Sequence, residues 1–121
     1  MFRITTLAVA TTLVAGSALA GDDVDHYEPE ASETFSEAVE NFNDYNARVA
    51  EILEKDDLTF ADMEQVHQFT YTIEVALAKM NEVLADLPAT LEEVHLSSEG
   101  DDPATFRANA EAYLDTALEL Q

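Results

Sequence analysis

The chain has 121 residues, with 26 acids against five bases, three His, no Cys, no Trp, three Gly and three Pro. This fits one small domain, and the lack of Cys excludes disulfides, thiol catalysis, thiolate metal sites and c-type haem attachment. All acids lie beyond residue 20 and Arg3 lies before it, so from Gly21 onward four bases face 26 acids, a net −22, and nucleic acid or an anionic membrane surface would repel the product.

Met1-Phe2-Arg3, the apolar run from Ile4 to Ala15 and the small-residue stretch Gly-Ser-Ala-Leu-Ala form the three parts of a secretory signal peptide, residues 1–20, cleaved after Ala20. Thr5, Thr6, Thr11 and Thr12 interrupt the run, which falls short of the roughly 20 apolar residues a membrane span needs. The expected product is soluble and periplasmic, with no membrane contact after cleavage. Residues 21–32 (GDDVDHYEPEAS) then read as an extended acidic leader, since they carry almost no aliphatic side chains. A helical bundle domain is expected over 33–121.

Thr34 with Glu37 forms a capping box, and Phe35, Ala38, Phe42, Tyr45, Val49 and Ile52 follow at steps of three and four, which predicts a helix over about 33–55. The Lys55-Asp56-Asp57 turn ends it. Thr59 is placed to cap a second helix whose first turn holds Asp62 and Glu64 at the positive end of the dipole. Its seam runs Met63, Val66, Thr70, Ile73, Leu77 and Met80, then Leu84, Leu87, Leu91 and Val94, widened by Phe69, Ala76 and Val83. Pro88 lacks a backbone donor and clashes with the preceding turn, so the helix is expected to kink there. The rival is a break, with Thr90 and Glu93 capping a fourth helix. Gly100 closes the segment, Asp102 caps the next, and Pro103 takes the first helical position. Phe106, Ala110, Tyr113, Ala117 and Leu120 give the last seam.

No segment alternates with a period of two, and the fold is all-α: an antiparallel helical bundle of three helices, the long central one kinked or broken at Pro88 to give four. At 1.5 Å per residue the helices would be roughly 34, 57 and 27 Å long, so the outer two together match the middle one. Short connections place the first along the N-terminal half of the long helix and the last along its C-terminal half. Part of each seam remains for a partner chain.

With no Cys, a transition-metal site must use histidines. His67 and His95 are 28 residues apart, about 42 Å on a continuous helix, and cannot share an ion. A leader running up past the early eighties would bring His26 beside His95, where Glu92, Glu99, Glu28 and Glu30 could complete a shell for Zn²⁺, Cu²⁺ or Ni²⁺. No H-E-x-x-H spacing supports it. His67, with Tyr71 one turn on and Glu74 nearby, is a second candidate polar cluster; the plainer reading is a boundary histidine packing on a tyrosine. Met63 and Met80 lie where a haem-clamping bundle would place a ligand, yet methionine at a seam is ordinarily core filling. There is no nucleophile elbow and no calcium loop, and Ser32, Ser36, Ser97 and Ser98 stand at helix ends, where capping explains them.

The stretches VDHYEPEASETFSEAVENFNDYN, EQVHQFTYTIEVALAKMNEVL and LEEVHLSSEGDD resemble the small exported bacterial helical proteins of the domain-of-unknown-function family 6746. The likeness spans nearly all of the mature chain and takes in His26, His67, Tyr71, Glu74, His95 and Tyr113; Pro88 departs from the pattern. The resemblance implies a periplasmic setting and a helical fold, and supplies no activity. The expectation is therefore an acidic exported bundle that is not an enzyme and needs no cofactor. It would serve a partner-binding or structural role in the cell envelope, with an unknown protein or by self-association through its residual seams. The alternative is a divalent metal-binding protein using His26 and His95.

Overall fold

The computed structural model describes residues 27–121, which form an all-α fold of three helices: α1 (Phe35–Leu53), α2 (Phe60–Ser98) and α3 (Pro103–Ala117), the last closed by a 3₁₀ turn at Leu118–Leu120. The expected signal peptide and the first part of the leader, His26 included, lie outside the described residues.

Each helix starts where its capping chemistry places it. The Thr34 hydroxyl accepts from the Glu37 N–H at 3.1 Å, and the Glu37 carboxylate accepts in return from the N–H groups of Thr34 and Glu33. Thr59 and Asp62 repeat the box at α2. At α3, Asp102 accepts from the N–H groups of Ala104 and Thr105 and from the Thr105 hydroxyl at 2.7 Å, and Pro103 follows in the first turn. These bonds occupy donors that a helix start leaves unpaired. The Thr105 hydroxyl, followed by its N–H, holds the Asp102 carboxyl below the ordinary aspartate range.

α2 runs through Pro88 to Ser98 without interruption, so the break and the fourth helix do not form. The Thr90 hydroxyl donates back to the Leu87 carbonyl at 2.9 Å and so does not cap a new start. Ser97 and Ser98 likewise bond back to carbonyls of their own last turns and do not act as N-caps. Gly100 ends α2 without a left-handed residue, its N–H reaching the Ser97 carbonyl at 3.3 Å.

α1 and α3 both pack on α2, and α1 also touches the closing turn, so the two shorter helices lie end to end along the long one. Lys55 meets Asp62 at the first turn, and Tyr45 sets its ring edge-on to Phe69 at 5.5 Å. Asn109 donates to the Glu93 carbonyl at 3.2 Å, and Thr116 shares a hollow with Val83, Asp86, Leu87 and Thr90.

The core differs from the expected seam. Among the described residues eight are buried, and all fall between Phe35 and Ala76: Phe35, Ala38, Val39, Tyr45 and Ile52 from α1, and Asp62, Thr72 and Ala76 from α2. The face that α2 turns to its neighbours is the row Phe69, Ala76 and Val83, the expected widening of the stripe, with Thr72 beside it; Leu77 stays 39% exposed. Small side chains decide this. Ala76 and Thr72 are both at 0% exposure, and of the expected seam Leu77 and Leu91 are exposed while Val66, Ile73, Met80, Leu84 and Leu87 are half-buried, as Phe69 and Val83 are.

Candidate functional site

The densest group of chemically versatile side chains sits where the end of the leader crosses α1 and α2. Residues 27–33 are extended. Their backbone is fastened by the Glu30 N–H, which donates to the Thr72 hydroxyl at 3.0 Å, and by the Asn41 amide, which donates to the Ala31 carbonyl and the Ser32 hydroxyl. Tyr27 stacks on Tyr71 with ring centroids 6.4 Å apart. Residues 27–33 therefore double back along the α1–α2 groove and do not run toward the end of α2. Thr72 offers the hydrogen bond that turns them, and the exposed ring of Tyr71 offers apolar cover.

Tyr45 lies at the centre of this group, buried, with the Arg48 guanidinium 4.5 Å above its ring and Asp44 paired to Arg48 at 2.7 Å. Its phenol is held above the ordinary tyrosine range, first by the neighbouring Tyr27 hydroxyl and then by burial. His67 Nε2 and the Tyr71 hydroxyl are 3.0 Å apart, and their rings meet edge to face. The expected His67–Tyr71 pair thus forms. Glu74, the third member, is exposed and makes no hydrogen bond to either among the described residues. Tyr27, Tyr45, Arg48 and Thr72 were missed as partners. Tyr27, in a stretch with almost no aliphatic side chains, was the available signal that it docks.

His95 is exposed near the end of α2, with Nε2 3.5 Å from Glu99. Glu92, a turn before it, is also exposed. Tyr27, the first described residue of the leader, packs at Tyr71, which is 24 positions or about 36 Å along α2 from His95. Among the described residues no three His, Asp or Glu side chains converge to hold a metal ion, and no helix is long and apolar enough to cross a membrane.

At the α1–α2 turn, Asp62 accepts from Lys55 and from the N–H and hydroxyl of Thr59. The Lys55 hydrogen bond, followed by those from Thr59, holds the Asp62 carboxyl down at about 2. This locks the turn. Above it a hollow of about 470 Å³ is lined by Arg48, Lys55, Glu51, Ile52, Gln65 and Phe69, but both cations already have carboxylate partners.

The other notable surface is apolar. From Leu77 to the end of the chain no residue is buried, and Leu91, Leu96, Phe106, Leu114 and Leu118 are each at least 40% exposed. Such side chains are ordinary singly and informative together.

These features describe a small acidic helical scaffold whose buried residues all lie between Phe35 and Ala76 among the described residues, with large apolar side chains exposed in both halves. The chain belongs to the family of unknown function DUF6746, whose model matches residues 1–121, the whole chain. No curated protein and no solved structure matches it.

Proposed function

We propose that this chain is an exported, non-enzymatic partner-binding protein of the cell envelope, released from its signal peptide after Ala20. In this reading its helices form an antiparallel bundle, bent at Pro88, whose C-terminal half is completed by another protein surface. One observation carries the reading: large apolar side chains stay at the surface along α3 and the second half of α2, as they also do at Leu53, Leu58, Phe60 and Met63 around the α1–α2 turn, in a chain otherwise rich in carboxylates. Leaving them in water costs about 25 cal/mol for each Å² a partner would cover. The order of contacts along the helices supports the antiparallel arrangement, since Lys55 meets Asp62 while the earlier Tyr45 meets the later Phe69. The missing N–H of Pro88 supports the bend.

The test is photo-crosslinking in cells, with a benzophenone amino acid at Leu91 and separately at Asp86. Discrete adducts from position 91 and none from 86 are expected. Absence of adducts from both positions overturns partner binding.

A further inference from the structure

The two flanks of this helical slab differ in chemistry. Ala38, Tyr45 and Ile52 are buried, seven residues apart, and mark the face α1 turns to α2; Phe69, Ala76 and Val83 mark the facing row on α2; Asn109, Tyr113 and Thr116, all half-buried, mark that of α3. One residue further along any α-helix is a turn of about 100°. When two right-handed helices face each other and run in opposite directions, that step leads to the same side of the pair from both.

On that side α1 carries Asn46 and Leu53 with Phe42 and Val49 beside them, and α2 carries Thr70, Leu77, Asn81, Leu84, Pro88 and Leu91. α3 contributes Phe106, Ala110, Leu114 and Leu118, with a hollow of about 310 Å³ lined by Pro103, Phe106, Arg107, Ala110, Glu111 and Leu114. In a chain with 26 acids, this flank carries Arg107 with Glu111 beside it in the hollow, and otherwise Glu74 and Glu92 at its rim. One residue back from the packed rows, on the opposite flank, stand Glu37, Asp44 and Glu51 of α1, Glu82 of α2 and Asp115 of α3. That second flank is also the one the leader crosses, through Thr72 and Asn41.

We infer that the acid-poor flank is the contact surface for a second copy of this chain. The inference rests on the partner-binding reading and on the antiparallel arrangement within it, and it names the partner. Three considerations select another copy. A chain of net charge −21 repels its own kind least where carboxylates are sparse, and on this flank they are confined to Glu111, next to Arg107, and to the rim. The slab is two helices thick at every level, with six buried apolar residues, and two slabs laid flank to flank give the four-helix cross-section that encloses a core. The area also suffices: 39 residues of α2 span about 58 Å, and two helices side by side are about 20 Å wide, so the footprint is on the order of 1,000 Å² per copy. A stable interface needs about 800 Å² per partner. The leader, by contrast, leaves no room for a copy on the charged flank near Thr72.

Sedimentation of the purified mature chain between 1 and 100 µM, roughly the range in which such interfaces assemble, tests this. A species of twice the chain mass is expected. Leu91→Asp and Leu114→Asp, both at exposed positions, should each raise the dissociation constant by about 100-fold or more. Their far-UV circular dichroism under dissociating dilution should match wild type, and Glu82→Ala on the other flank should leave the dimer intact. A monomeric wild type across this range overturns the second-copy assignment, and a dimer broken by Glu82→Ala but not by Leu91→Asp overturns its placement. If wild type is monomeric while Leu91 still crosslinks in cells to a different protein, the partner-binding reading stands and only this inference falls.

Discussion

The two halves of the slab obey the same sequence rules and reach different ends. Around α1 and the first half of α2, small residues at the contact and a docked leader bury eight side chains, and the polar ones among them are paired. Around α3 and the second half of α2, the periodicity is as regular and the caps are as good, yet nothing is buried. Amphipathic pattern sets which face of a helix seeks cover, and cover then depends on how many other elements arrive. The N-terminal half has three layers of chain to draw on, counting the leader, whereas the C-terminal half has two helices and an open flank.

Several measurements can break or sharpen this contrast. The largest effect should come from Tyr45→Ala, which empties the centre of the packed half and removes the ring beneath Arg48. A loss of about 3 to 5 kcal/mol by urea denaturation is expected, near the limit of what so small a domain possesses. A loss below about 1 kcal/mol would mean that this half is no better packed than the other. Pro88→Ala acts in the open half and in the other direction, since it restores a donor to the Leu84 carbonyl. A gain of up to about 3 kcal/mol is expected, read as slower amide exchange between Leu84 and Val94.

Leu77→Ala probes the boundary. The sequence pattern places Leu77 in the seam, where truncation would cost about 2 to 5 kcal/mol. At 39% exposure it should instead cost under about 1.5 kcal/mol when measured on the dissociated chain. A full core penalty would restore the original seam. The smallest effect belongs to the turn lock. The Asp62 carboxyl is depressed to about 2 from 3.8, so its stabilisation is complete above about pH 4 and lost as pH falls toward 2. The melting temperature of wild type should therefore exceed that of Asp62→Asn near neutrality, with the gap closing between pH 4 and 2; a gap that persists at pH 2 would show that the carboxylate charge is not its source.

The sequence by itself determined the helices. Thr34 with Glu37, Thr59 with Asp62, and Asp102 with Pro103 fix where each begins, because a cap acts over three residues and needs nothing else of the fold. Connection lengths determined in addition that the outer helices share the long one between them. The His67–Tyr71 pair was legible for the same reason as the caps, since four residues on one helix are neighbours by construction. Tertiary structure alone decided three things. It buried Thr72 and Ala76 completely and left Leu77 exposed, since close approach favours small side chains and periodicity does not weigh size. It turned the leader back onto Thr72 and Tyr71, because an extended segment has no periodicity and takes its course from the partners it meets. It carried α2 through Pro88, where neighbouring turns and the contacts of α3 outweighed one missing hydrogen bond.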